Sequence, residues 1–524
     1  MAKNRAFKRK TFIKRHIEDY CEASTLHGVK YVVSRDRPLF ERTWWMIAIL
    51  CSFLWSLYLI QQVWEKWNNS PVIVSFAEKS TSVWQIPFPA VTICSENKAR
   101  QTIYNYTKYH HMNDSELTDD LFEKREVISL ICDQHINNGG ELTINESKIE
   151  FLEEVASPFE EVLFVCKWKE QLKECTEFFT PIMTEEGYCF TSNSLNHFDF
   201  YHNDGLNSKY MESLPNATDW NLEEGYKDSS PVDTYPRRAI GSGKKSGLTI
   251  LMMARKNDLD YLCRGAVQGF KVTMHNPAEI PRVAERFFRV PLNQEVVLAV
   301  KPNMMTTSSN LLSYSPKGRQ CFFPHERKLL FFKVYTQRNC ELECLTNYTL
   351  KSCGCVSYYM PRAKDTLICG SESKNCTGYA YEKMIDEEIT VTLKNKGDTT
   401  CNCLQSCTSL EYEAETSQAT FDWEKQMMAY EVNMSDPDLL DSTFSRLSIY
   451  YKDAQFITSH RSELYGLADF LAGCGGLLGL TSGFSILSLV EIIYYLTLRL
   501  CNNYSQEKER QNDTEIEKSE KCKV

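Results

Sequence analysis

Two apolar stretches stand out from an otherwise mixed pattern of hydrophobic and polar positions. Residues 43–63 carry no charge and suit one crossing of a bilayer, which needs about 20 apolar residues. Trp44, Trp45 and Trp64 lie near the ends of this run, where interfacial aromatics gather. The second stretch, 464–500, is too long for a plain anchor. Its roughly 37 residues would make a straight helix of about 55 Å at 1.5 Å per residue, against a hydrocarbon core of about 30 Å. It must tilt, protrude or break. Gly473, Gly476, Gly479 and Gly483 recur at three- and four-residue steps, so one helix face is almost bare, as close helix approach in a membrane requires. Gly483-Phe484-Ser485 is the predicted break. Unwound backbone at membrane depth is tolerated only where it is buried in protein or lines water, which argues for a pore.

Between the two stretches the pattern shortens to alternating runs cut by Pro and Gly, which suits an antiparallel β core. Strands are predicted at 86–94, where Pro87 and Pro89 hold the chain extended, and at 248–253, 269–275, 295–300, 329–334 and 444–451. Helical spacing shows around 121–131, and Gly187 reads as a turn before another strand. The Gly241-Ser242-Gly243-Lys244-Lys245 segment lacks the rest of a phosphate-binding pattern and reads as a turn. Cys340 and Cys344 are four apart and share a helix face; Cys401 and Cys403 are two apart and share a strand face. Both spacings advance about 6 Å, so a two-rung ladder between a helix and an extended return is natural. Cys353, Cys355, Cys369 and Cys376 can close a smaller loop beyond it.

Charge adds orientation. Residues 1–42 hold eleven Lys/Arg against five acids, in a chain of net charge −10. A basic flank beside a span places that end in the cytoplasm and argues against nucleic acid as a partner. A cleaved leader is not expected, because the run is too far from Met1 and lacks a small-residue cleavage site. Two spans then give five segments: a cytoplasmic head, 1–42; a first span, 43–63; an extracellular cysteine-rich domain, 64–463; a second, pore-lining span, 464–500; and a cytoplasmic tail, 501–524. The sixteen cysteines from Cys94 to Cys407 fall in the third segment, an even number that suits an oxidising compartment. Cys21, Cys51, Cys474, Cys501 and Cys522 lie in the spans and tails, where free thiols are expected. A zinc reading of the Cys-x-Cys pairs is weak, and no metal or cofactor is expected. Glycosylation acceptors begin at Asn105, Asn113, Asn145, Asn216, Asn347, Asn375 and Asn433, all in the same segment; Asn503 and Asn512 match too but fall on the cytoplasmic side.

These parts together resemble the degenerin/epithelial sodium channel family, and within it the insect pickpocket branch. The resemblance rests on His27-Gly28, Phe88-Pro89-Ala90-Val91-Thr92-Ile93-Cys94, Gly187-Tyr188-Cys189, the cysteine-dense 340–407 region, and Gly483-Phe484-Ser485 followed by Leu489-Val490-Glu491. Gly269-Phe270-Lys271-Val272, His275-Asn276-Pro277 and Glu279-Ile280-Pro281 carry the pickpocket affinity. The resemblance implies an α+β membrane protein, acid-sensing-channel-like: two transmembrane helices flank a large disulfide-rich extracellular domain with a β core and peripheral helices. It implies a homo- or heterotrimer with related subunits in the plasma membrane, with both termini cytoplasmic. The activity implied is an amiloride-sensitive, sodium-selective cation channel, ligand- or mechanically gated and sensory, with sodium as the permeant ion. The gating ligand or tether is not identified. Implied disulfides are Cys94–Cys189, Cys166–Cys175, Cys321–Cys407, Cys340–Cys403, Cys344–Cys401, Cys353–Cys376 and Cys355–Cys369, with Cys132 and Cys263 left as the remaining pair. Gly483, Phe484 and Ser485 take the place of the family's selectivity filter, Ala472 that of a small residue near the gate, and His27-Gly28 that of a cytoplasmic pore support. Where acid-sensing relatives have a Trp before the cysteine matched by Cys321, this chain has Pro316-Lys317-Gly318-Arg319-Gln320, so acid gating is not implied.

Asp469 stands out without any family, since an acid in an apolar span is costly and usually faces water or a partner. Three copies would ring an outer mouth, next to Ala472, Gly473 and Gly476; the alternative is a carboxylate that marks the membrane surface. Glu491 reads more naturally as a helix-end salt bridge than as an ion ligand. The competing function is a two-span scavenger-receptor-like lipid or ligand receptor, which would share topology, glycans and disulfides but needs only an ordinary C-terminal anchor. An ATP-gated trimeric channel would need a basic phosphate site and another cysteine pattern. An enzyme is not expected: the chain has no nucleophile elbow, no His-Glu-x-x-His and no dinucleotide fingerprint.

Overall fold

The computed structural model describes residues 14–34, 36–69, 72–132, 140–202, 218, 220–394, 401–431 and 437–506. Asn216, Asn433, Asn512 and Cys522 lie outside the described residues. The chain forms two compact units, Val74–Arg461 and the pair of segments Met1–Ile73 with Ser462–Val524.

The larger unit is built on two sheets. In the first, Gln294–Thr307 pairs antiparallel with Ser409–Thr420 and parallel with Ser442–Tyr451. Ser442–Tyr451 pairs antiparallel with Leu248–Arg255, which continues through Val165–Trp168 to Gln171–Lys173. Period-two burial sets its faces: Leu248, Ile250 and Met252 are buried while Thr249, Leu251 and Met253 are half-exposed. The second sheet runs Phe288–Pro291, Gly269–His275, Ala90–Ser95, Gly187–Ser192, Phe179–Thr184, all antiparallel. Gly269–His275 is buried along its whole length. Val91, Ile93, Phe190, Val272, Ile250, Leu298 and Leu447 from the two sheets share one core. The Phe-Pro-Ala segment feeds it: Phe88 packs edge-on against Trp168 and Tyr451, and Pro87 O accepts from Tyr412 and Tyr451 hydroxyls.

The expected strand at 329–334 does not form. Among the described residues that segment makes one isolated bridge, Phe332 to Tyr201. Its Phe331 and Phe332 are buried in the core as loop residues, so burial rather than pairing explains the apolar run.

Eight disulfides staple this unit: Cys94–Cys189, Cys132–Cys263, Cys166–Cys175, Cys321–Cys407, Cys340–Cys403, Cys344–Cys401, Cys353–Cys376 and Cys355–Cys369. They leave no thiolate of these pairs for zinc. The helix Gln337–Cys353 is capped by Thr336, whose hydroxyl accepts from Asn339 N–H at 3.2 Å, and ends on Gly354. It packs beside Lys374–Lys394. Asn339 joins the helix to the loop that follows Gly269–His275: its Oδ1 accepts from Ile280 N–H at 3.1 Å and its Nδ2 donates to Ala278 O at 2.9 Å.

Glu186 is the centre of a buried ion-pair cluster. Glu186 meets Lys98 at 2.9 Å, Lys271 at 2.8 Å and Arg264 at 3.2 Å. Burial alone would raise its carboxyl, but the Lys98 and Arg264 charges and the Lys271 hydrogen bond outweigh that and hold it at about 2. Arg319, in the Pro316–Gln320 segment before Cys321, is fully buried. Its guanidinium donates to Cys321 O, Leu311 O, Tyr314 O and Glu326 and lies over the Phe323 ring. It therefore ties its own loop rather than presenting a ring.

The smaller unit is helical. A helix over 14–23 and the short Val29–Val33 precede Leu39–Asn69, which is long and apolar enough to span a membrane through residue 68. It extends past the predicted 43–63 at both ends. At the C-terminal end Trp67 is held by a 3.1 Å bond from its indole N–H to Tyr465 O and by stacking on Phe470 at 5.0 Å. The second apolar stretch forms Leu467–Ser482, a break, and Ile486–Tyr494, continuing through a π-helical turn at Tyr495–Arg499. The two halves are bent by 71°.

Candidate functional site

The break carries its own stop and start signals. Gly483 closes the first helix in the left-handed region at φ 68°, its N–H donating to Gly479 O at 3.0 Å and Phe484 N–H to Leu478 O at 3.3 Å. Ser485 opens the second helix: its hydroxyl accepts from Ser488 N–H at 3.2 Å, and the Ser488 hydroxyl accepts from Ser485 N–H at 3.2 Å. Three residues thus end one helix and begin another.

The N-terminal segment is folded onto this break. His27 N–H donates to Ser482 O at 3.1 Å, satisfying a carbonyl that a helix end leaves orphaned. The His27 ring lies against Gly483, where an added Cβ would fall 2.6 Å from Nδ1. Gly28 takes φ 87°, and a Cβ there would meet Ile49 at 3.2 Å and Trp45 at 3.3 Å. Below, Thr25 donates its hydroxyl to Glu491 Oε2 at 2.7 Å and its N–H to the same oxygen at 3.3 Å, and its hydroxyl lies 3.0 Å from that of the buried Ser488. Further along, His16 Nε2 meets Tyr495 O at 2.9 Å and Nδ1 meets Asn503 Nδ2 at 3.1 Å. Opposite, Ser52 donates to Thr481 O at 2.6 Å.

The expected pore residues each have a definite place. His27, Gly28, Gly483, Phe484 and Ser485 come together. Asp469 and Ala472 are exposed in the first turns of Leu467–Ser482, and Asp469 Oδ2 accepts from Gly466 N–H at 3.1 Å. A Cβ on Gly473 would come 3.9 Å from Val63, whereas one on Gly476 would meet nothing within 4 Å. The glycine face is therefore only partly used within one chain. Among the described residues Glu491 is held by Thr25, through a hydroxyl and an N–H. Thr25, Ser488, Ser52 and His16 are contacts that pattern reading missed. Ser24-Thr25 directly before His27-Gly28, and a Ser in an apolar run at 488, were the available signals. Cys21, Cys51, Cys474 and Cys501 are free thiols. Of the expected glycosylation acceptors, Asn113, Asn145, Asn347 and Asn375 are exposed and Asn105 half-buried.

An apolar spanning helix, a second apolar helix broken at glycine and clasped by the N-terminal segment, and a disulfide-stapled sheet domain define the class of protein to compare. A family model described as "Amiloride-sensitive sodium channel" matches residues 20–495. The chain is 32% identical to Pickpocket protein 28 of Drosophila melanogaster, over 93% of this chain and 79% of that one. It is 23% identical to the Drosophila melanogaster sodium channel protein Nach over 95% of this chain and 89% of that one. With human acid-sensing ion channel 2 it shares 22% identity over 92% and 86%. The chain belongs to the amiloride-sensitive sodium channel family. That family is one of ion channels, and nothing in these likenesses favours a scavenger-receptor function.

Proposed function

We infer that the protein is a subunit of an amiloride-sensitive sodium channel of the plasma membrane. In this reading the two apolar stretches both cross the bilayer, the cysteine-rich sheet domain is extracellular, both termini are cytoplasmic, and three related subunits enclose the pore. The observation that carries it is the capped break at Gly483-Phe484-Ser485, with His27 seated on it. A helix interrupted at membrane depth leaves backbone oxygens free to face a permeant ion, and the number and field strength of such oxygens tune selectivity. In a trimer the open sides of Gly476 and Ala472 would face sister helices, and three Asp469 side chains would concentrate cations at the outer mouth. The Gln337–Cys353 and Lys374–Lys394 pair, stiffened by its disulfides, is suited to pass an extracellular stimulus onward.

Oocytes expressing Ala472→Cys should carry an amiloride-blocked sodium current after treatment with a bulky thiol reagent, and wild-type oocytes treated in the same way should not gain one. No such current from protein labelled at the cell surface, alone or with related subunits, would overturn the reading. Ser485→Cys should alter the sodium-to-potassium permeability ratio; an unchanged ratio and unchanged block would remove Ser485 from the ion path.

A further inference from the structure

A groove of 620 Å³ lies on the disulfide-stapled helix pair, within the range of about 300–1,000 Å³ that small-ligand sites occupy. One wall is a single stripe of the Gln337–Cys353 helix, with Glu343, Asn347 and Lys351 at four-residue steps; Lys383 and Glu387 of the Lys374–Lys394 helix line it too. Asn347 is exposed, stands midway along that stripe, and opens the acceptor sequence Asn347-Tyr348-Thr349. A sugar on its Nδ2 would start inside the groove rather than in open solvent.

The lining suits a neutral, hydroxyl-rich guest. Lys351 and Lys383 make no hydrogen bond or ion pair among the described residues. Glu343 Oε2 accepts from Phe331 N–H at 2.9 Å and Glu387 Oε2 from the Tyr348 hydroxyl, and each carboxylate keeps a second oxygen. A small anion would face both carboxylates as well as Arg327, Lys351 and Lys383, and an apolar guest would strip water from the two ammonium groups without replacing their hydrogen bonds. Sugar hydroxyls and amides can donate to the carboxylates and accept from the lysines. Thr349 is buried and donates to Leu345 O at 2.8 Å, so attachment must precede closure of the helix.

We propose that this groove seats the first sugars of an N-linked glycan on Asn347, which then bridge Lys351 on one helix to Lys383 and Glu387 on the other. Attachment is a group transfer from a lipid-diphosphate oligosaccharide. The Asn347 Nδ2–C1 bond forms as the C1–O bond breaks, the lipid diphosphate leaves, and Nδ2 gives up one proton. The proposal rests on the reading that the sheet domain is extracellular.

Full-length protein from secretory expression is tested by site-resolved mass spectrometry before and after treatment with a glycan-releasing amidase. Asn347 is expected to be occupied. Its glycan should be released at least about tenfold more slowly from folded wild type than from folded Lys351→Ala/Lys383→Ala, a protection equal to about 1.4 kcal/mol, with equal occupancy in the two. Both lysines are exposed, so the variant keeps the fold, and denaturation should abolish the difference. Equal release rates, or an unmodified Asn347 beside glycans at Asn145 or Asn375, would overturn the proposal alone. Glycans at none of the acceptors would overturn the extracellular reading with it, whereas a missing sodium current would leave the release rates untouched.

Discussion

At Gly483 an added methyl group would have to occupy the space of the His27 imidazole, 2.6 Å from Nδ1, on a backbone at φ 68°. The left-handed conformation costs an L-residue roughly 1–2 kcal/mol, and the collision adds to it. Gly483→Ala should therefore displace His27 and abolish or strongly reduce sodium current while surface labelling stays normal. Thr25 and Glu491 act through hydrogen bonds only, the Thr25 hydroxyl and N–H both reaching one oxygen. Thr25→Val should lower current or shift permeation less than Gly483→Ala does, because the His27 N–H bond to Ser482 O remains. Away from the membrane, burial raises the Glu279 carboxyl to about 7, only partly countered by Arg338 at 3.7 Å. An acid whose pKa is raised on folding stabilises the fold while protonated, so that contribution fades as pH rises from about 4.5 through about 7. His275 beside it is buried and held at about 4, so it acts in the opposite sense, and its contribution is lost as pH falls below about 6.5. Glu279→Gln isolates the first effect: thermal melts should show a variant whose stability relative to wild type increases from pH 5 to pH 8.

Elements were legible where one local rule decided them. Gly-Phe-Ser reads as a break because glycine stops a helix and serine starts one, and the structure bends there by 71°. The four-residue and two-residue cysteine spacings read as a ladder because helix and strand rises match over them, and the rungs have Cα separations of 5.7 and 5.6 Å. Removing one rung with Cys344→Ser/Cys401→Ser should cost about 2–4 kcal/mol, seen as a lower denaturation midpoint, and should slow or weaken any response that travels through the helix pair. The 329–334 segment was not legible, because an apolar run looks the same whether it pairs as a strand or fills a core as a loop. The Glu186 cluster was invisible for another reason: Lys98 and Glu186 are separated from each other, and from Arg264 and Lys271, by long stretches of chain. Removing Lys98 leaves Glu186 with Lys271 and Arg264, so Lys98→Met should destabilise the sheet unit by less than the about 3–5 kcal/mol of a fully broken buried pair. The loss relative to wild type should be greatest near neutral pH and shrink as acid protonates the carboxylates.

For the whole molecule, the proposed assembly predicts a mass in detergent or lipid discs of three chains, and single-molecule mass measurement would distinguish this from one or two. The amino-acid sequence by itself determined the two apolar stretches, the length that forces the second to break, and the even number of central cysteines. All of these follow from composition, period or spacing along the chain, which need no knowledge of what lies opposite. Only the tertiary structure decided what the break touches. His27 lies more than four hundred residues from Gly483, and its ring, its N–H and the bond from Thr25 to Glu491 exist because folding brings the two ends together. The same holds for Arg319, whose side chain ties its own loop, and for the groove at Asn347. A residue's chemistry is written in the sequence, but its partner is set by through-space packing.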